Sequence, residues 1–81
     1  MLTAEQRRQL ERTTDAHIQR ARQALESLKG RPLTREQLEV ATQVRTFLRQ
    51  AEEARARDLV RAGNLAERAD VLAQDLLRTL R

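Results

Sequence analysis

A stretch without any helix-breaking residue runs from residue 34 to residue 62, between Pro32 and Gly63. Thr34 followed by Gln37 is the pattern of a capping box, in which two side chains satisfy two free backbone amides at a helix start. Gly63 can adopt the left-handed conformation that closes a helix. The stretch predicts one long central helix over 34–62. Its apolar residues recur at the spacing of a helix, at Leu38, Ala41, Val44, Leu48 and Ala51.

Two further segments carry the start and stop signals of helices. Thr3 with Gln6 repeats the capping pattern, Gly30 with Pro32 ends the segment that follows, and Asn64 opens a last amphipathic segment as an N-cap. Short connections make neighbouring helices antiparallel. The sequence predicts a single all-α domain over residues 1–81. We expect an up-down-up antiparallel three-helix bundle with two long helices and a shorter C-terminal one, at about 3–29, 34–62 and 64–80.

The composition excludes several classes of function. The chain has no cysteine, which excludes a disulfide framework, a thiolate metal site and a thiol nucleophile. Apolar residues make up 40% of the chain, mostly as Leu and Ala, and Phe47 is the single aromatic residue. We therefore expect no large ligand pocket. No apolar run reaches the length of a membrane span and no targeting segment is visible, so we expect a soluble chain and leave its localisation unknown.

The polar residues do not form a pattern that indicates catalysis. His17 is the only histidine, and we expect it to be packed or partly exposed near Phe47 instead of acting as a metal ligand or base. Asp58 lies close to the apolar stripe, either as a carboxylate at the rim of the core paired with Arg61 or Arg68, or as a polar contact at an interface. The sequence predicts no enzyme, and no catalytic, metal or cofactor site.

The predicted helix lengths indicate a surface for self-association. A third helix over 64–80 would end beside Phe47 and would leave the tip of the first hairpin uncovered. Monomers usually avoid an exposed apolar patch of that size. We therefore expect a non-enzymatic protein–protein interaction or assembly module, a homo-oligomer with a two-fold dimer favoured, or a complex with another helical protein. Val44→Asp should abolish association and leave helix content intact. The predicted interface consists of Ile18, Leu25, Leu28, Leu38, Val40 and Val44.

Nucleic-acid binding is the alternative, because the formal net charge is +4 and exposed arginines could contact phosphates. Acidic residues are interleaved with the basic ones, and there is no aromatic stacking platform, so a solvated charged face competes with this interpretation. A membrane-surface role ranks third. The candidate phosphate contacts are Arg7, Arg8, Arg12, Arg20 and Arg22 on the first helix and Arg45, Arg49, Arg55, Arg57 and Arg61 on the second.

Two resemblances follow from the segment Arg61-Ala62-Gly63-Asn64-Leu65-Ala66-Glu67-Arg68-Ala69 and from the chain as a whole. The segment and its flanks, residues 54–80, resemble a helical hairpin of the tetratricopeptide type, which implies a turn at Gly63. The whole chain is similar to small, poorly characterised helical domains of bacterial envelope proteins. That resemblance implies a bacterial helical domain and no particular activity.

Overall fold

The computed structural model describes residues 1–80, which form three α-helices and no strand. Helix α1 spans Ala4–Ser27, α2 spans Arg35–Ala54 and α3 spans Leu59–Arg78. Helix α2 runs antiparallel to its two neighbours, so the predicted all-α, up-down-up three-helix bundle is confirmed. The bundle measures 45 × 18 × 15 Å. Within the described residues, no helix combines the length and the apolar character needed to cross a membrane.

The first two predicted helix starts and the first turn are confirmed in atomic detail, whereas Asn64, the predicted third N-cap, lies inside α3. The hydroxyl of Thr3 accepts from the backbone N–H of Gln6 at 3.0 Å, and the Gln6 side chain accepts from the Thr3 amide at 2.9 Å. Thr34 and Gln37 make the same two bonds at 3.1 and 2.9 Å. Gly30 has a φ of 77°, the left-handed conformation that ends α1. These signals therefore set three of the helix ends.

The second turn lies earlier than predicted, and the helix bounds 34–62 and 64–80 are wrong. Helix α2 ends at Ala54, and α2 and α3 each have 20 residues, so the C-terminal helix is not shorter than the central one. Asp58 is the N-cap of α3, where its Oδ1 accepts from the backbone N–H of Arg61 at 3.1 Å. The turn from Arg55 to Asp58 contains neither Gly nor Pro, so it carries no breaker signal.

Gly63 lies inside α3 and has a different role from the predicted helix end. Its φ is not in the left-handed region. A Cβ at this position would lie 3.1 Å from Thr14 Oγ1 and 3.2 Å from Leu10 Cδ1, which is closer than side chains normally approach. Glycine therefore lets α1 and α3 pack at short distance here. The turn at Gly63 that a tetratricopeptide-type hairpin requires does not form.

The core lies along α3, because α1 and α2 each pack mainly on α3 and much less on each other. The alanines that α3 directs inward are almost completely buried, and their small side chains permit close helix packing. Larger aliphatic residues of α1 and α2 fill the space around them. The α3 alanines are Ala62, Ala66, Ala69 and Ala73, and the larger core residues include Ile18, Val44, Leu48 and Leu65.

Candidate interaction surface

The predicted tip interface is covered by α3. The Gln37 side chain donates to Thr79 Oγ1 at 3.1 Å, and Arg31 donates to the carbonyl of Leu80 at 3.0 Å, so the end of α3 reaches the first turn. The premise that a short third helix leaves this tip open is therefore wrong. Of the predicted interface, Ile18, Leu28 and Val44 are buried, Leu25 and Val40 are half-buried against the core, and Leu38 is 51% exposed.

The early second turn explains this difference. Because α2 stops at Ala54, α3 starts at Leu59, which lies nearer to the first turn than the predicted start of α3. The 20 residues of α3 then extend as far as the first turn. Leu76 joins Leu28 and Ala41 in a small buried cluster beneath the first turn. Of the aliphatic residues at the tip, Ile18, Leu28 and Val44 are thus core residues of one chain.

A shallow apolar groove remains between α2 and α3. No residue of α1 lines it, and we call it the α2–α3 groove. Val71, which lines one half of the groove, is 52% exposed. The two halves of the groove share Leu72. Its apolar residues are Val40, Phe47, Val71, Leu72 and Leu76, and its polar residues are Thr34, Glu36, Gln37, Asn64, Glu67, Arg68, Asp75 and Thr79.

Two arginines hold positions beside this groove. The guanidinium of Arg68 lies over the ring of Phe47, 5.9 Å from the ring centroid, in a cation–π arrangement. Arg78 Nη1 is 2.8 Å from Asp75 Oδ1, and both side chains are exposed. An exposed ion pair of this kind is weak and can exchange partners. The groove therefore has an apolar floor and charged groups that are free to rearrange.

A buried carboxylate joins α1 to α3. Asp70 is only 4% exposed, and its Oδ2 accepts a hydrogen bond of 2.7 Å from the Nδ1–H of His17. Arg20 Nε is 3.5 Å from the same oxygen, and the Gln74 amide donates to the other oxygen at 3.2 Å. A buried carboxylate requires such partners. The prediction that placed His17 near Phe47 missed Asp70, because the register between α1 and α3 could not be derived with the wrong second turn.

The hydrogen bond between His17 and Asp70 joins α1 to α3. Its carboxylate is already occupied by three side chains. Within residues 1–80, no group of three His, Cys, Asp or Glu side chains is arranged to hold a metal ion. The pair therefore fixes the position of α1 on α3.

A second ion pair joins α1 to α2 at the surface. Arg55 donates to both oxygens of Asp15, at 2.9 and 3.0 Å, and Glu11 lies 3.8 Å from the same guanidinium. The hydrogen bond from Arg55 lowers the pKa of Asp15 below its ordinary value of 3.8. The same bond raises the pKa of Arg55. Arg55 is thereby engaged within the chain instead of presented to phosphates.

The other predicted phosphate contacts divide into two groups. Arg20 pairs with Asp70 and Arg22 with Glu52, while Arg8 and Arg12 lie within ion-pair distance of Glu5. The remaining arginines of that set have no ion-pair partner within residues 1–80. They are Arg7, Arg45, Arg49, Arg57 and Arg61.

Comparison with known proteins adds no family assignment. No protein-family model matches the chain, and no curated protein or solved structure is significantly similar to it.

Proposed function

We propose that this chain is a non-enzymatic helical assembly module that pairs with a second copy of itself through the α2–α3 groove. The observation that carries the proposal is the position of Val71, which is 52% exposed and lines the groove together with Phe47 and the half-buried Leu72. Burying an aliphatic or aromatic side chain of this size contributes about 1.5–3 kcal/mol before the cost of association.

The dimensions of the bundle suit a dimer of this kind. One long side measures about 45 by 18 Å. A stable protein–protein interface of standard size buries about 800 Å² of accessible surface on each partner, so a dimer of that size would use most of this side of the bundle.

Two other exposed aliphatic residues within the helices lack these surroundings. Val60 is 51% exposed and lies with Asp58, Arg61 and Asn64 near the second turn. Leu38 is also 51% exposed, and its neighbours at the surface are charged or polar residues of α2. A single exposed aliphatic residue is normal on a monomer. Only the α2–α3 groove places exposed and half-buried apolar side chains of two helices together.

No catalysis is part of the proposal. The buried His17–Asp70 pair holds α1 to α3, with Arg20 and Gln74 as further partners of the carboxylate. The proposal therefore assigns this pair a structural role.

The matched valines of α3 provide the test. Val71→Asp and Val60→Asp introduce the same charge at equally exposed positions of one helix. Size-exclusion chromatography with light scattering should give a monomer for Val71→Asp and a dimer for Val60→Asp and for the unmodified chain, with equal helix content by circular dichroism. If both variants keep the mass of the unmodified chain, the groove is not the contact surface.

Nucleic-acid binding is a second candidate, favoured by one observation. Arg45 and Arg49 lie one helical turn apart on α2, are exposed, and have no ion-pair partner within residues 1–80. Such a pair can contact successive phosphates. Filter binding of duplex and single-stranded DNA at low and high salt distinguishes the two functions. Salt-sensitive binding that Arg45→Glu removes would favour nucleic acid, and no binding would leave the assembly module.

A further inference from the structure

We infer that the two copies meet through antiparallel α3 helices, with the two-fold axis between Val71 and Leu72 and with Arg68 of each copy paired to Asp75 of the other. The inference rests on the proposed function and specifies its partner and its geometry. It follows from the order of residues along one face of α3, which we call the outer stripe. The outer stripe consists of Asn64, Arg68, Val71, Leu72, Asp75 and Thr79.

The outer stripe forms a single face of the helix. Val71 and Leu72 are adjacent at its centre, and from each of them outward the members lie at the three- and four-residue spacings that place side chains above one another on a helix. All of them are exposed or half-buried, and all of them line the α2–α3 groove. The stripe is therefore available to a partner along its whole length.

The outer stripe of one copy is complementary to the outer stripe of a second copy that runs in the opposite direction. Reading from the centre outward, Val71 has Leu72 as its counterpart, and Arg68 has Asp75 at the same distance on the other side. One helical turn further out, Asn64 corresponds to Thr79. In a two-fold dimer, residue i of one copy contacts residue j of the other, and j contacts i. Antiparallel α3 helices would thus match apolar with apolar and positive with negative, twice each.

A parallel orientation of the two α3 helices is unfavourable because of the same charged residues. Parallel α3 helices would place Arg68 against Arg68 and Asp75 against Asp75, and juxtaposed like charges disfavour association. The side chains can adopt the antiparallel pairing without a change in fold. Arg68 lies over Phe47 at the surface, and the Asp75–Arg78 pair is exposed, so both can reorient toward a partner.

This self-complementarity is the reason to assign a second copy as the occupant. A different protein would need its own matching order of charges, whereas this chain already carries both the positive Arg68 and the negative Asp75. The charges set the orientation and the register, and the apolar centre supplies the contact area. The arrangement also places Val40 and Phe47 of both copies beside the crossing point, where they can be covered.

Charge reversal tests the register. Arg68→Asp or Asp75→Arg alone converts two attractive pairs of the dimer into two repulsive ones, so each should raise the dimer Kd at least about tenfold. The double variant, Arg68→Asp with Asp75→Arg, restores both pairs in reversed order and should return Kd to within about threefold of the unmodified chain. Arg49→Asp reverses a charge away from the groove and serves as the control, with Kd unchanged.

Engineered cysteines test the geometry independently, because the chain has none of its own. Val71→Cys, oxidised under mild conditions, should give a disulfide-linked dimer on a non-reducing gel, and Val60→Cys should not. A dimer that the double charge reversal fails to restore, or that Val60→Cys links as well as Val71→Cys, overturns this register and leaves the proposed function standing. An unmodified chain that is monomeric overturns both. Restoration by the double variant together with selective linking at residue 71 supports both.

Discussion

Helix α3 has two faces of opposite character. The inner face presents Gly63 and the buried alanines to the core, and Asp70 reaches from it to His17 on α1. The outer face presents Val71 and Leu72 at the α2–α3 groove, between exposed charged residues. Both faces contain aliphatic and charged side chains. They differ in whether those side chains already have partners within the chain.

This difference separates two kinds of substitution. A change on an inner face removes packing or a buried hydrogen bond, so its cost is a lower free energy of unfolding. A change on the outer face of α3 alters a solvent-exposed residue, where effects on stability are usually small. We expect such a change to alter association instead. The following variants test how sharply the two classes are separated.

The largest effect is expected at Val44, the fully buried centre of α2. Val44→Asp places an unpaired carboxylate in the core and should cost about 4 kcal/mol or more, enough to unfold a bundle of this size. Loss of the helical circular dichroism signal is the measurement. The earlier expectation, that this substitution would only abolish association, applied to an uncovered tip. Leu38→Asp, at an exposed position of the same helix, is the control and should keep the fold. A folded Val44→Asp variant would contradict the account of the core.

Gly63 should show the next largest effect, because α1 and α3 approach closely there. Gly63→Leu improves helix propensity, yet its side chain would overlap with Thr14 and Leu10. We expect a loss of about 2–3 kcal/mol in the free energy of unfolding, measured with urea. Arg61→Leu adds the same side chain at an exposed position and should change stability by less than about 0.5 kcal/mol. Equal effects of the two variants would show that the helices are not in close contact at Gly63.

The buried His17–Asp70 pair should give a measurable coupling energy. In a double-mutant cycle with His17→Ala and Asp70→Ala, removal of either partner leaves the other without its hydrogen bond. Urea unfolding of the four proteins should give a coupling of about 1–2 kcal/mol at neutral pH. Strictly additive losses would mean that the two side chains do not interact in solution.

The exposed Asp15–Arg55 pair should show the smallest effect, and a dependence on pH. Arg55 holds the pKa of Asp15 below 3.8, so the pair stabilises the folded chain above that pH and loses its contribution as the pH falls through the lowered pKa. Asp15→Asn should cost only about 0.5 kcal/mol at neutral pH, because solvent screens the pair. The difference from the unmodified chain should vanish at a pH below the lowered pKa of Asp15. A difference that persists at that pH would not come from this ion pair.

The elements that the sequence predicted correctly are those with a local chemical signal. Thr3 and Thr34 begin helices with capping boxes, and Gly30 ends the first helix with a positive φ. The second turn was missed because a glycine can either end a helix or allow two helices to pack closely. Gly63 permits close packing of two helices, and the true N-cap, Asp58, follows a turn without Gly or Pro.

The candidate surface depended on that one turn. An error in the end of α2 shifted the register of α3 along the bundle, and every inference about which residues are covered shifted with it. The prediction therefore assigned core residues such as Val44 to an interface and did not identify Asp70 as the partner of His17. Helical periodicity alone cannot locate a turn that the sequence does not mark, because the apolar stripe of α2 continues through Leu59 and Ala62 into α3.

The central claim is that the outer face of α3 binds a second copy of the chain. Sedimentation equilibrium of the unmodified chain tests this claim most directly. The monomer mass is 9.4 kDa. We predict a reversible monomer–dimer equilibrium, with a mass of twice that value at the upper end of the micromolar-to-millimolar concentration range. A single species of monomer mass throughout that range would contradict the account.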